Sequence, residues 1–134
     1  MESGNGVFTI DGVDLRVWVT GLKRSFAVTD SEHSGRLQNY EMFRDVIGTF
    51  YNYTLTVEPD SNYREDYDTF YDIITAPTPF HAMTFPYGQQ TLEFTAYVTS
   101  GDDDIKPIME GGAQVNRYSG LSVQFIAKAP QRRP

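Results

Sequence analysis

The sequence predicts a mainly β protein, an antiparallel β-sandwich or partly open β-barrel of six or seven strands with one flanking α-helix at about residues 61–75. Three features of the sequence predict this fold class. Several segments alternate apolar and polar residues, as strands with one buried face do. Turn signals that contain Gly or Pro separate these segments. Only residues 59–79 repeat apolar side chains at helical spacing.

The first strands are predicted on either side of a tight turn. Residues 7–10 and 13–22 alternate around Asp11-Gly12, a strong turn signal, and therefore predict a β-hairpin. One face of the second arm carries the apolar side chains Val13, Leu15, Val17 and Val19. Trp18 falls on the polar face, where we expect it to pack against a neighbouring chain or under a loop.

Residues 23–44 show neither strand nor helix periodicity and are interpreted as a long projecting loop. Connections of this length are usually functional or disordered. Because this segment collects basic and aromatic side chains in an acidic protein, it is a candidate contact with an acidic partner or another copy of the chain. The candidate subunit-contact residues are Lys23, Arg24, Phe26, Arg36, Tyr40, Phe43 and Arg44. A solvated surface loop fits the pattern equally well.

A strand followed by the helix is predicted next. Residues 46–57 alternate most clearly, and Gly48 permits a bulge or bend there. The helix carries one apolar stripe, formed by Tyr63, Tyr67, Phe70 and Ile74. Its candidate N-caps are Asp60, Ser61 and Asn62. Pro77 and Pro79 end it. Since an isolated helix of about a dozen residues is marginal in water, we expect it to dock on the sheet.

The C-terminal half predicts further strands in hairpins and meanders. These strands cover residues 80–85, 90–99, 105–109 and 118–129, with turns at 86–88 and 100–104, the second of them charged. Residues 105–109 are predicted as a short edge strand because Pro107 cannot donate to a ladder. We expect a single domain over residues 1–134, with flexible ends at 1–6 and 130–134.

Composition narrows the classes of function. The chain has no cysteine, which excludes disulfides and thiolate metal sites. Eighteen acidic against eleven basic residues give a net charge of −7, so nucleic-acid binding has little electrostatic support. No apolar run approaches the roughly 20 residues that span a bilayer, and the start lacks a signal-peptide pattern. We therefore expect a protein made in the cytoplasm, without a membrane partner.

The sequence displays no catalytic, cofactor-binding or metal-binding site, and we expect a protein that is not an enzyme. Asp102, Asp103 and Asp104 lack the alternating ligands of a calcium loop. His33 and His81 lie far apart in sequence and have no companion ligands for zinc. The carboxylates on the polar face of the helix are interpreted as solvent-exposed surface groups rather than as the catalytic pair of a glycosidase.

A series of landmarks runs in order along nearly the whole chain. They are Phe8-Thr9-Ile10-Asp11-Gly12-Val13, Ser34-Gly35-Arg36, Arg44-Asp45-Val46-Ile47-Gly48, a helix after Pro59, and Tyr118-Ser119-Gly120-Leu121-Ser122-Val123. In this order the chain resembles small structural proteins encoded among the tail genes of siphophages and prophages. The resemblance implies a β-sandwich or barrel flanked by a helix and assembled into rings, commonly six-fold. It also implies that a long early loop, here residues 23–44, reaches a neighbouring subunit or ring.

Two hypotheses about function follow. The leading one is a non-enzymatic component of a phage virion, in its tail, that self-associates into a ring or tube-like part and contacts other tail proteins. It needs no cofactor. The alternative is a ligand- or carbohydrate-binding β-sandwich module that uses Trp18 and Tyr87 as stacking platforms.

Overall fold

The computed structural model describes residues 7–32, 34–36 and 41–134 and confirms the predicted fold class. Seven antiparallel strands form one sheet that does not close, and the described residues contain a single helix. The strands of this sheet are β1 (Thr9–Ile10), β2 (Val17–Asp30), β5 (Val46–Pro59), β6 (His81–Tyr87), β7 (Gln90–Tyr97), β8 (Gly101–Glu110) and β9 (Ala113–Ala127). The short strands β3 (Gly35–Arg36) and β4 (Met42–Phe43) pair with each other, and helix α1 spans Arg64–Thr75.

The sheet divides at β9, which is shared by two halves. One half has the order β2-β5-β9-β8 and the other the order β1-β6-β7-β9. Ser122 and Val123 pair with both β5 and β8, so these two strands lie on opposite edges of β9. Within the described part of the chain, β2 and β8 are therefore the two free edges of a four-stranded half.

The core lies between the two halves and under the helix. Tyr53 of β5 stacks on Phe85 of β6 with 4.5 Å between ring centroids, and Phe125 of β9 contacts the same ring at 5.4 Å. Phe70 of the helix meets the ring of Phe8 edge-on at 5.5 Å. The buried helix residues are Tyr67, Phe70 and Ile74. Since burial stabilises such side chains by about 1.5–3 kcal/mol each, docking holds the helix, as its stripe predicted.

Contacts with distant residues, and not a capping side chain, fix where the helix begins. Its N-cap residue, Tyr63, makes no side-chain capping bond. The expectation that one of residues 60–62 caps the helix is wrong, because the Asp60 carboxylate accepts a bond from the backbone N–H two residues later. In the first turn, Asp66 accepts bonds from the backbone N–H and the guanidinium of Arg16, both at 2.9 Å. The helix N-terminus is therefore tied to the segment before β2.

The predicted hairpin over residues 7–22 is wrong, although its tight turn forms. Asp11 and Gly12 adopt φ angles of 52° and 78°, as a tight turn requires. However, β1 pairs with β6, and residues 10 and 13 form only an isolated bridge across the turn. β2 begins only at Val17, because the preceding Arg16 binds the helix rather than a neighbouring strand.

Residues 100–104, predicted as a charged turn, instead contain the start of β8. β9 is long enough to pair along Gly101–Glu110, except at Asp103, where the register shifts by one residue. Pairing with a long neighbour thus overrides the low strand propensity of three consecutive aspartates. The predicted short edge strand at 105–109 is the continuation of the same strand.

Residues 23–30, predicted as the start of a projecting loop, instead continue β2. They pair with β5 as far as Asp30 opposite Val46, because β5 extends equally far. The projection is thus a two-stranded arm, and we call residues 21–30 and 46–54 the β2–β5 arm. The residues that follow β9 lie along it: Thr49 and Arg132 form a bridge, and the Gln131 side-chain amide bonds the backbone of Tyr51. Residues 130–132 are therefore not the free end that was expected.

Candidate subunit-contact surface

The outer edge of the β2–β5 arm is open and carries basic and apolar side chains. Within the described residues, β2 pairs with β5 on one side and with no strand on the other. Lys23, Arg24 and Phe26 are all exposed along this edge, and Phe26 exposes 72% of its surface. A long open edge with exposed apolar side chains is a template for pairing with another chain.

The two faces of this edge differ. Arg24 and Phe26 lie opposite Tyr53 and Tyr51 of β5, on the face of the sheet that carries the core. Lys23 lies on the other face, because successive residues of a strand alternate in direction.

The structure places Arg44 away from these three residues, at the tip of the arm. Its guanidinium binds the Asp30 carboxylate at 2.8 Å. Next to it, the Asp45 backbone N–H donates to Ser34 Oγ at 2.7 Å. This bond joins the two ends of the segment that connects β2 and β5. Arg44 thus already has a carboxylate partner within its own chain.

Two of the remaining predicted contact residues lie in the short β3–β4 pair. Arg36 is in β3 and Phe43 is in β4. Tyr40 lies outside the described residues, as does His33. The described structure therefore brings together Lys23, Arg24 and Phe26, but not the whole predicted set.

Two arginines and two tyrosines lie together at the core-bearing face of the arm, and we call them the Arg–Tyr cluster: Arg24 and Tyr51 of the arm, Tyr87 of β6, and Arg132 after β9. The guanidinium carbon of Arg24 lies 5.8 Å from the ring centroid of Tyr87. The Tyr87 hydroxyl donates to the Tyr51 hydroxyl at 3.2 Å. This bond lowers the pKa of Tyr51, and the adjacent Arg132 guanidinium lowers it further. In the described part of the chain, neither arginine forms an ion pair with a carboxylate.

Sequence reasoning missed the Arg–Tyr cluster because its members come from distant segments. The alternation of β5 does place Tyr51 on the same face as Tyr53, which is a usable signal. No local pattern shows that the chain after β9 returns to β5 and brings Arg132 to Tyr51.

The other free edge, β8, is acidic and also exposes apolar side chains. Within the described residues, β8 pairs only with β9. Ile105 exposes 59% and Met109 69% of their surfaces. Asp102 and Asp104 are exposed beside the register shift and form no ion pair within the described chain. The two edges of this half-sheet thus carry opposite charge.

Asp103, which lies at the register shift between Asp102 and Asp104, is bound by the helix. Its carboxylate accepts a hydrogen bond from the Tyr67 hydroxyl at 2.6 Å. Burial, followed by this bond, raises the pKa of Tyr67, so its hydroxyl stays protonated and continues to donate. The Tyr67 ring stacks on Tyr118 of β9 at 5.3 Å. The helix residue Tyr67 thus contacts both β8 and β9 beside the register shift.

The buried histidine has a structural partner. His81 Nδ1 lies 2.8 Å from an Asp11 carboxylate oxygen, and the other oxygen accepts the Ala82 backbone N–H at 2.9 Å. Burial opposes ionisation of Asp11, but the hydrogen bonds from His81 and Ala82 leave its pKa lowered. These bonds attach the turn at Asp11-Gly12, which follows β1, to β6. Among the described residues, no group of three or more His, Cys, Asp or Glu could hold a metal ion.

The two aromatic residues proposed as carbohydrate platforms do not share a surface. Trp18 lies opposite Glu58 on the face of β2 that points away from the core, and it is half-buried. Tyr87 lies on the core-bearing side against Tyr51, with its ring centroid 5.2 Å away. The strand pair thus separates the two rings.

A cleft of about 460 Å³ lies between the helix and β9, with Glu58, Asp68, Arg64 and Arg117 among its lining residues. The Glu58 carboxylate accepts a hydrogen bond from the Gly120 backbone N–H at 3.0 Å, so this carboxylate links β5 to β9.

Comparisons with known proteins give no match among family models, curated proteins or solved structures. The described residues also include no helix that is long and apolar enough to cross a membrane.

Proposed function

We propose that this protein is a non-enzymatic structural component of a bacteriophage tail, which self-associates into a ring or tube-like part of the virion. It is made in the host cytoplasm and joins other tail proteins there. The observation that carries the proposal is the pair of open edges, β2 and β8, at opposite sides of one four-stranded half-sheet.

The topology supports assembly by repetition of one contact. Each strand of the β2-β5-β9-β8 half is antiparallel to its neighbour. With four alternating strands, the two edge strands run in opposite directions, so β8 of one copy can meet β2 of the next as an antiparallel pair. A contact between two different surfaces of the same chain produces a closed ring when its rotation closes, and a helix when it does not.

The exposed side chains supply a driving force for this contact. Phe26 on one edge and Ile105 and Met109 on the other expose most of their surfaces. Burying a large apolar side chain fully is worth about 1.5–3 kcal/mol. An open edge left uncovered is a hazard for uncontrolled aggregation, which a defined partner removes.

The assignment to a phage tail rests on the resemblance in the order of the sequence landmarks, for which ring assembly is the common arrangement. The acidic balance of the chain supports it as well. A net charge of −7 disfavours attraction to the phosphates of DNA that passes through a ring.

Light scattering coupled to size exclusion, together with negative-stain electron microscopy, tests the proposal. We expect rings or short tubes at high protein concentration, or when the proteins encoded by neighbouring genes are added. A chain that remains monomeric at high concentration and with each of those proteins would contradict the proposal.

A further inference from the structure

The two free edges match each other on both faces of the half-sheet. On the core-bearing face, β2 presents Leu22 and Arg24, and β8 presents Ile105, which lies opposite the Tyr118 that packs on the core. On the other face, β2 presents Lys23 and β8 presents Asp104. An apolar pair on one face and an ion pair on the other thus become available when the edges meet.

We propose that β2 of one copy adds to β8 of a second copy, antiparallel, with Lys23 opposite Asp104. This inference rests on the proposed function, because it names the contact through which the chain would self-associate. In this register Leu22 lies opposite Ile105, Arg24 opposite Asp103 and Ser25 opposite Asp102.

The charged side chains on the two edges favour this register. Lys23 and Arg24 are adjacent basic residues with no carboxylate partner in the described chain, and Asp102–Asp104 is the matching acidic run. Opposite charges placed directly across a strand pair stabilise it, whereas like charges destabilise it. In a heterologous contact every copy uses each of its two edges once. Every contact between copies therefore places Lys23 and Arg24 of one copy against Asp102–Asp104 of the next.

The occupant of each edge is therefore a second copy of this chain rather than an unrelated peptide. An extended peptide could satisfy the backbone of either edge alone. It would not explain why the two edges of one four-stranded half-sheet carry complementary charges.

A charge exchange tests the contact. Lys23→Asp and Asp104→Lys should each abolish assembly or weaken it at least about tenfold, by the like-charge juxtaposition that each creates. The double variant K23D/D104K restores opposite charges at every joint and should assemble like the wild type. Glu93→Lys is the matched control, because Glu93 is exposed on β7, away from both edges.

Cysteine cross-linking tests the register, and the chain has no cysteine of its own. Residues opposite each other in an antiparallel pair have Cα atoms about 4.5–5.5 Å apart, within the range that a disulfide spans. The variant S25C/D102C should therefore form disulfide-linked multimers on mild oxidation. The variant A27C/D104C, which reports a register shifted by four residues, should not.

The outcomes separate the contact from the function. An assembly that tolerates both K23D and D104K, or that cross-links only through A27C/D104C, would overturn the proposed contact and leave self-association standing. Circular dichroism shows whether each variant keeps the wild-type fold. A wild-type chain that never assembles would refute the contact and the proposed function together.

Discussion

Replacement of Phe26 by serine should separate assembly from folding. Phe26 exposes 72% of its surface in the monomer, so its removal should change the free energy of unfolding by no more than about 0.5 kcal/mol. In the assembly, burial of the exposed fraction of a phenylalanine contributes about 1–2 kcal/mol per contact. The dissociation constant of each contact should then rise about 5–30-fold.

Sedimentation velocity over a concentration series measures the association, and urea unfolding of the monomer measures stability. Phe80→Ser is the matched control: Phe80 exposes 40% of its surface and contacts Lys128, away from both edges. We expect assembly of this control to match the wild type. The reasoning fails if F26S assembles as well as the wild type, or if it destabilises the monomer as strongly as a core substitution does.

Three further predictions concern the fold. Phe70→Ala should lower the free energy of unfolding by about 3–5 kcal/mol in urea titrations, because Phe70 is fully buried on the face of the helix that packs on the core. Asp66→Asn should lower the free energy of unfolding by about 1 kcal/mol at pH 7. The hydrogen bond from Arg16 lowers the pKa of Asp66 from 3.8, so this difference should hold above pH 5 and shrink as pH falls through the lower folded-state pKa. Gly48→Ala should release the end of the chain, seen as faster amide exchange in the arm, because the new Cβ would lie 2.5 Å from the Arg132 carbonyl oxygen.

Local periodicity was enough to predict elements that bury one face along their whole length. β5, predicted from its clear alternation, buries the alternate residues Tyr53, Leu55 and Val57. The helix buries Phe70 and Ile74 of its predicted stripe. In these segments the buried residues are the ones that recur at strand or helix spacing. The fold class and the main elements could therefore be predicted from the sequence alone.

Elements that depend on a distant partner could not be predicted in this way. The outer part of β2 is exposed on both faces, so it has no alternation, and only its pairing with β5 makes it a strand. The aspartates of β8 likewise form a strand because β9 lies beside them.

Only part of the candidate surface could be predicted, because the rest also depends on residues that are distant in sequence. Lys23, Arg24 and Phe26 are neighbours in sequence and stay neighbours on one edge. Arg44 instead pairs with Asp30, and the Arg–Tyr cluster needs Arg132 from the far end of the chain.

A cryo-electron microscopy map of the assembled protein tests the central claim most directly, since it shows what covers the two open edges. We predict that β2 of each copy lies against β8 of its neighbour, so that one antiparallel sheet continues from copy to copy around a ring. An assembly in which both strands face solvent, with the copies joined through the helix or the β1-β6-β7 half, would contradict the account.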